Sequence, residues 1–197
     1  MKEVVNLYVV LYQGHFGFIK PWTAVRDELT YSQQFLTPSI IMGIEQKLFP
    51  EMLGEKEYKS RIIRHKLQYS GISQQQEQTQ PKALTIKRRE GIAKRPRSIL
   101  KRGVLLNPRL YLAFQNRDHA SEAVTQHICL CRNEDVMLPL EYVINMTEAE
   151  FDTINGFELR FEQSDMSFLV GYNRFWDNRA MFGRLEITGN PSRRFTK

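Results

Sequence analysis

The stretch that decides how this chain is organised runs from 83 to 114: Ala83-Leu84-Thr85-Ile86-Lys87-Arg88-Arg89-Glu90-Gly91-Ile92-Ala93-Lys94-Arg95-Pro96-Arg97-Ser98-Ile99-Leu100-Lys101-Arg102-Gly103-Val104-Leu105-Leu106-Asn107-Pro108-Arg109-Leu110-Tyr111-Leu112-Ala113-Phe114. Residues 83–86 and 104–106 are apolar and strand-like, and the segment between them is almost purely cationic. Lys87, Arg88, Arg89, Lys94, Arg95, Arg97, Lys101 and Arg102 stand there against the single acid Glu90, a local net charge of +7 in a chain whose total is +6. Gly91 and Pro96 interrupt the segment and exclude one long basic helix. The pattern predicts a basic hairpin or arm over 83–103 that projects from a sheet, followed by a further strand at 110–114 entered through Asn107-Pro108.

A surface that needed only solubility would intersperse both signs, whereas a block this dense repels itself unless polyanions or counterions screen it. Nucleic acid is the expected partner, because each phosphate neutralised releases condensed counterions. Five of the eight bases are Arg, whose planar fork suits bidentate phosphate contacts and stacks on bases. A solvated loop, or a patch for an acidic protein surface, is the plainer alternative.

Upstream of the arm, residues 73–81 (Ser-Gln-Gln-Gln-Glu-Gln-Thr-Gln-Pro) have almost nothing to bury and are expected to be mobile. Residues 58–69 fit either a strand or a short helix. Thr37 as N-cap, Pro38 in the first turn and Ile40, Ile41, Ile44 and Leu48 at helical spacing predict a helix that Pro50 stops. Residues 4–12, Val-Val-Asn-Leu-Tyr-Val-Val-Leu-Tyr, predict a buried central strand, and 13–36 a long structured loop. Downstream, Thr147-x-x-Glu150 matches a capping box ahead of a short helix ended by Asn155-Gly156. Phe157, Leu159 and Phe161, then Phe168, Val170 and Tyr172, alternate with polar residues and predict a β-hairpin, with a last short strand at 184–188 and a basic tail at Arg193, Arg194 and Lys197.

The chain has 197 residues, 42% hydrophobic and 25% charged, which suits a single domain over 1–197 with its own core and excludes a collagen-like, disordered or disulfide-stapled protein. No apolar run approaches the roughly 18 residues of a membrane span. Gln13-Gly14-His15 after the first strand is not a cleavage site, and Cys129 and Cys131 suit a reducing compartment. A cytoplasmic location and no membrane partner are expected.

Motifs for catalysis are sparse. No Walker sequence, nucleophile elbow, paired-histidine zinc helix or dinucleotide-binding glycine pattern occurs, and no cofactor is expected. His127-x-Cys129-x-Cys131 would share one strand face, but it has no evident fourth ligand and ordinary strand alternation explains it. Among His15, His65, His119 and His127, only His65, with Lys66, Tyr58 and Tyr69 nearby, offers a set for base-assisted RNA cleavage. Phe16, Phe18 and Trp22 near Lys20 and Arg26, and Phe175 and Trp176 between Arg174 and Arg179, are either stacking platforms for unpaired bases or core.

The order of features resembles a known family. A first strand and a Gly-containing loop lead to Asp27-Glu28-Leu29-Thr30-Tyr31-Ser32 and then to Leu36-Thr37-Pro38-Ser39-Ile40-Ile41-Met42-Gly43-Ile44. This is similar to the first-helix region of the Cas five family of CRISPR-associated RAMP proteins, and Leu105-Leu106-Asn107-Pro108-Arg109-Leu110-Tyr111 resembles the strand after that family's basic thumb. The resemblance covers about residues 4–50 and 83–115. It implies an α+β, ferredoxin-like (RNA-recognition-motif-type) antiparallel core with additional C-terminal strands. It also implies a role as the Cascade-like surveillance-complex subunit that caps the backbone and grips the 5′ handle of the crRNA. Its partners would be that crRNA, the backbone and large or helical subunits, and target DNA indirectly. Lys87, Arg88, Arg89, Lys94, Arg95, Arg97, Lys101 and Arg102 would form the thumb, while the helix start at Thr37 and Ser39 would offer N–H groups to a phosphate. In relatives that cut precursor RNA a Lys-His order is expected. Here His65 precedes Lys66 and lies upstream of the thumb, so a non-catalytic role is favoured. The alternatives are a metal-independent crRNA-processing endoribonuclease of the same superfamily and an unrelated basic RNA-binding or scaffold protein.

Overall fold

A continuous apolar strand at the start of the chain sets the middle of the main sheet. The computed structural model describes residues 6–21, 28–54, 59–79, 85–94, 97–173 and 177–192. In chain order the elements are β1 (Asn6–Gln13), β2 (Phe16–Gly17), β3 (Leu29–Tyr31), α1 (Pro38–Leu48), β4 (Ile62–Gln68), β5 (Gly71–Thr79), β6 (Thr85–Lys87), β7 (Ile92–Lys94) and β8 (Ser98–Leu106). Then come β9 (Arg109–Phe114), α2 (Arg117–Ala123), β10 (Ile128–Cys129), β11 (Val136–Pro139), β12 (Ile144–Thr147), α3 (Glu148–Thr153), β13 (Gly156–Arg160), β14 (Phe168–Asn173) and β15 (Arg179–Thr188).

The fold is α+β. The main sheet has the order β10-β11-β1-β9-β4-β13-β15-β14, with β12 also pairing β1, and all its described pairings are antiparallel. β1 is buried on both faces, which is why its sequence is a run rather than an alternation. Val10 and Tyr12 face a core shared with Ile41, Ile44 and Leu48 of α1 and Ala120 and Ala123 of α2, whereas Leu7 and Val9 face Phe151 of α3. Each such buried Val, Leu, Ile or Phe side chain contributes about 1.5–3 kcal/mol.

α1 begins where the sequence places it. Thr37 adopts an extended N-cap conformation (φ −84°, ψ 163°) and Pro38 opens the helix. Glu45 is buried on its inner face, and Oε1 accepts from the backbone N–H groups of Arg61 and Ile62, each at 2.6 Å, and from Ser60 Oγ at 2.8 Å. That carboxylate ties the helix to the start of β4. Burial raises its pKa against the lowering effect of these bonds. The capping box of α3 is present in full, with Thr147 Oγ1 accepting from Glu150 N and Glu150 Oε2 from Thr147 N.

Within 58–69, where the sequence fits either strand or helix, Ile62–Gln68 form strand β4. Four local expectations change. The 13–36 loop contains strands β2 and β3. The Gln-rich 73–81 segment, expected to be mobile, is strand β5 as far as Thr79, in unbroken antiparallel register with β8 from Gly71↔Leu106 to Thr79↔Ser98. Its polar side chains bury little, and the partner backbone makes the strand. The 157–161 and 168–172 strands do not pair with each other. β15, longer than the 184–188 segment anticipated, lies between them and pairs Leu159↔Leu185 on one side and Phe168↔Gly183 on the other. Alternation fixes which face a side chain takes but not which strand lies alongside.

Candidate nucleic-acid interface

The arm is an extension of the β4–β9 connection. β4 and β9 pair down to Gln68↔Arg109, after which β5 and β8 continue as a second ladder whose nine paired positions span about 30 Å. β8 is the central strand of this second sheet, with β5 on one side and β2 and β3 on the other, and the β3–β8 pairing is parallel. The connection from β5 to β8 carries a smaller hairpin in which β6 pairs β7 through Thr85↔Lys94, Ile86↔Ala93 and Lys87↔Ile92. Gly91 closes it at φ 64°, a conformation that favours glycine.

All the cations expected on the arm belong to this ladder or its connection. Arg89 and Arg97 are exposed. The side chains of Lys87, Arg88 and Lys94, and the whole of Arg95, lie outside the described residues. Lys101 and Arg102 are neighbours on β8 and therefore face opposite sides of the arm. Lys101 Nζ lies 3.6 Å from Glu28 Oε1 and Arg102 Nε 3.3 Å from Glu77 Oε2. Surface pairs of this kind contribute about 0–1 kcal/mol, so a polyanion can displace either carboxylate.

On the Arg102 side, the root of the arm joins the body through an aromatic ring. The Arg102 guanidinium carbon lies 5.6 Å from the centroid of Phe18, and that of Arg132 lies 5.3 Å from the same centroid. Arg132 is gripped by the buried carboxylate of Asp135, Nε to Oδ2 at 2.9 Å and Nη2 to Oδ1 at 2.6 Å, which raises the guanidinium pKa further. Arg132 also lines, with Ser39 and Lys47 of α1, a groove of about 560 Å³. Ser39 thus shares a groove with Arg132, whereas Thr37 is buried and its hydroxyl bonds Ser39 Oγ at 3.0 Å. Sequence reasoning missed Arg132. The Arg132-x-x-Asp135 spacing is its only local signal, and its contact with Phe18 is not local.

The alternative sites come apart. His65 and Lys66 are adjacent on β4 and buried on opposite faces. The His65 ring rests against Phe161, its Nε2 lacks a hydrogen-bond partner, and desolvation pushes its pKa down to about 4. Lys66 Nζ donates to the carbonyls of Asp152 (2.9 Å) and Ile154 (2.8 Å) and to Thr188 Oγ1 (3.2 Å). This pair cannot converge on one phosphodiester. Tyr58 lies outside the described residues, as do Trp22, Arg26, Arg174, Phe175, Trp176, Arg193, Arg194 and Lys197. Phe18 is core and Phe16 exposed. Cys129 and Cys131 are free thiols, and among the described residues no three His, Cys, Asp or Glu side chains are grouped to hold a metal ion. Among them, too, no helix is long and apolar enough to cross a membrane. Comparison of the whole chain with protein-family models and with curated proteins gives no match.

Proposed function

We propose that this chain binds single-stranded RNA along its cationic arm, as the non-catalytic subunit of a Cascade-like CRISPR surveillance complex that grips the 5′ handle of the crRNA and caps the backbone. The observation that carries this is the arm itself, the β5–β8 ladder that continues the β4–β9 pair, edged along part of β8 by β2 and β3, with the cationic block on β8 and the distal connection. Support for a ferredoxin-like core comes from the chain order. β1, α1, β4, β9, α2 and β11 follow one another as β-α-β-β-α-β, with strands arranged β11-β1-β9-β4 and both helices packed on the same side. The arm is then an insertion in the central β-β connection. The separation of His65 from Lys66 favours binding over cutting.

Replacing Arg88, Arg89, Arg95 and Arg97 together by Ala is the direct test. RNA affinity should fall, and the slope of log affinity against log salt should flatten by up to about 3, at about 0.7 for each single-strand phosphate that is no longer neutralised. An unchanged slope rules out the arm. Purification from cells should bring down a discrete CRISPR RNA with backbone subunits. Recovery of ribosomal RNA instead would support an unrelated RNA-binding protein.

A further inference from the structure

The side of the arm opposite Phe18 has its own chemistry. Residues paired across neighbouring strands share a face, and the register places Lys101, Gly103, Gln74, Gln76, Leu29 and Tyr31 together. Tyr31 is 48% exposed. Its ring lies directly on the backbone of Gly103, where an added Cβ would fall 2.2 Å from Cδ1, 2.8 Å from Cε1 and 3.0 Å from Cγ. The ring is therefore fixed by one face against β8 and turns the other outward. Its hydroxyl is held from the side by Gln74 Nε2, which donates at 3.0 Å. Gln76 and Gln78 continue the row of exposed side-chain amides along β5, and Glu77 points to the other side with Arg102.

We infer that this face takes an unpaired nucleobase of the RNA strand that the arm binds, with Tyr31 as the stacking platform and the Gln74–Gln76 amides at the base edge. The inference rests on the RNA-binding role of the arm and adds to it the group that is recognised. An immobilised aromatic ring beside a cation and a row of amides suits a base, whose π-face is attracted to the ring and whose edge both donates and accepts hydrogen bonds. Gly103 is part of the device, since any larger residue would displace the ring. Lys101, on the same face, supplies charge for the adjoining phosphate.

The probe is an unstructured mixed-sequence oligoribonucleotide carrying 2-aminopurine at one position, scanned along the strand. With the parent protein one position should be quenched by stacking. Tyr31→Leu should relieve that quenching and weaken binding by about 5- to 150-fold, the range for loss of one base–aromatic stack. Tyr31→Phe should keep most of both. An abasic nucleotide at the quenched position should weaken the parent and leave Tyr31→Leu unchanged. Equal weakening of intact and abasic RNA by Tyr31→Leu would make Tyr31 a structural cover for Gly103 and overturn the proposal. So would unaltered RNA affinity with loss of assembly into the complex, which would give the face to a protein neighbour. If Tyr31→Leu is silent while the four-Arg variant loses affinity, only the stacking site fails. If both are silent, the RNA-binding role fails with it.

Discussion

Two regions of the molecule concentrate cations, and they treat them in opposite ways. Under α3, Arg64 is almost fully buried. Its Nε and Nη2 donate to the Glu158 carboxylate at 2.6 and 2.7 Å, Nη2 donates also to Asp152 at 2.7 Å, and Nη1 donates to Glu148 at 3.1 Å. Desolvation pulls its pKa down, but the bonds to Glu158 and Asp152 outweigh this and hold it above the usual arginine value. Lys66 beside it is satisfied by carbonyls, and both lie over the Phe151 ring. On the arm, Lys101 and Arg102 each meet one exposed or half-exposed carboxylate, and Arg89 and Arg97 are solvated. The difference teaches that residue type does not separate structural from recognition cations. What separates them is whether the molecule's own acceptors already surround the charge.

The sharpest way to break this comparison is to remove one cation from each region. Arg64→Ala should cost about 3–5 kcal/mol in urea unfolding, because it leaves the buried Glu158 carboxylate with only the long 3.4 Å contact of Arg160 Nη1. Arg102→Ala, which loses the Glu77 pair and the contact with the Phe18 ring, should stay within about 2 kcal/mol. Equal costs would erase the distinction.

Next in size is the titration of His65, next to Arg64 on β4. Its folded pKa, about 4, lies below the ordinary 6.5, so the unfolded chain takes the proton first as the pH falls. Stability linked to this group is therefore complete above pH 6.5 and is lost between 6.5 and about 4, a drop of about 3 kcal/mol. His65→Phe should lack that drop, and the difference between the two proteins across that window is the measurement.

The smallest effect sharpens the arm side. Glu77→Ala should change stability by less than about 1 kcal/mol while raising RNA affinity and steepening its salt slope by about 0.7, since Arg102 is released for a phosphate. A weaker RNA affinity would mean that Glu77 holds Arg102 in its working position.

What the sequence makes legible is local. β1 shows as a short β-branched and aromatic run, α1 as a Thr-Pro start with 3.6-residue spacing, and α3 as a capping box; each is encoded within a dozen residues. The arm shows because its charge is contiguous. Partners distant in sequence do not show. Glu158 alternates with Phe157 and Leu159 like a solvent-facing residue, yet it is buried because Arg64 reaches it from another strand. Arg132 and Tyr31 are equally silent, since the Phe18 ring and Gly103 that position them lie far along the chain. The Gln-rich strand escapes for the complementary reason, as its order comes from the β8 ladder rather than from anything it buries.

The corner where the arm meets the body has a mechanical consequence. Asn107 takes φ 47°, its N–H donates to the His15 carbonyl at 2.9 Å and its Nδ2 to Ser70 Oγ at 2.9 Å. Ser70 N and Gly14 N donate to the carbonyls of Leu106 and Pro108, at 2.8 and 3.1 Å. Two separate segments, 14–15 and Ser70, thus brace the bend at 106–108, and β8 passes through it directly into β9 beside the central strand. A tug on the distal end is delivered as torque to the middle of the main sheet instead of being absorbed by a slack joint. The projecting ladder behaves as a cantilever, and whatever seizes it is held at a fixed bearing to the body.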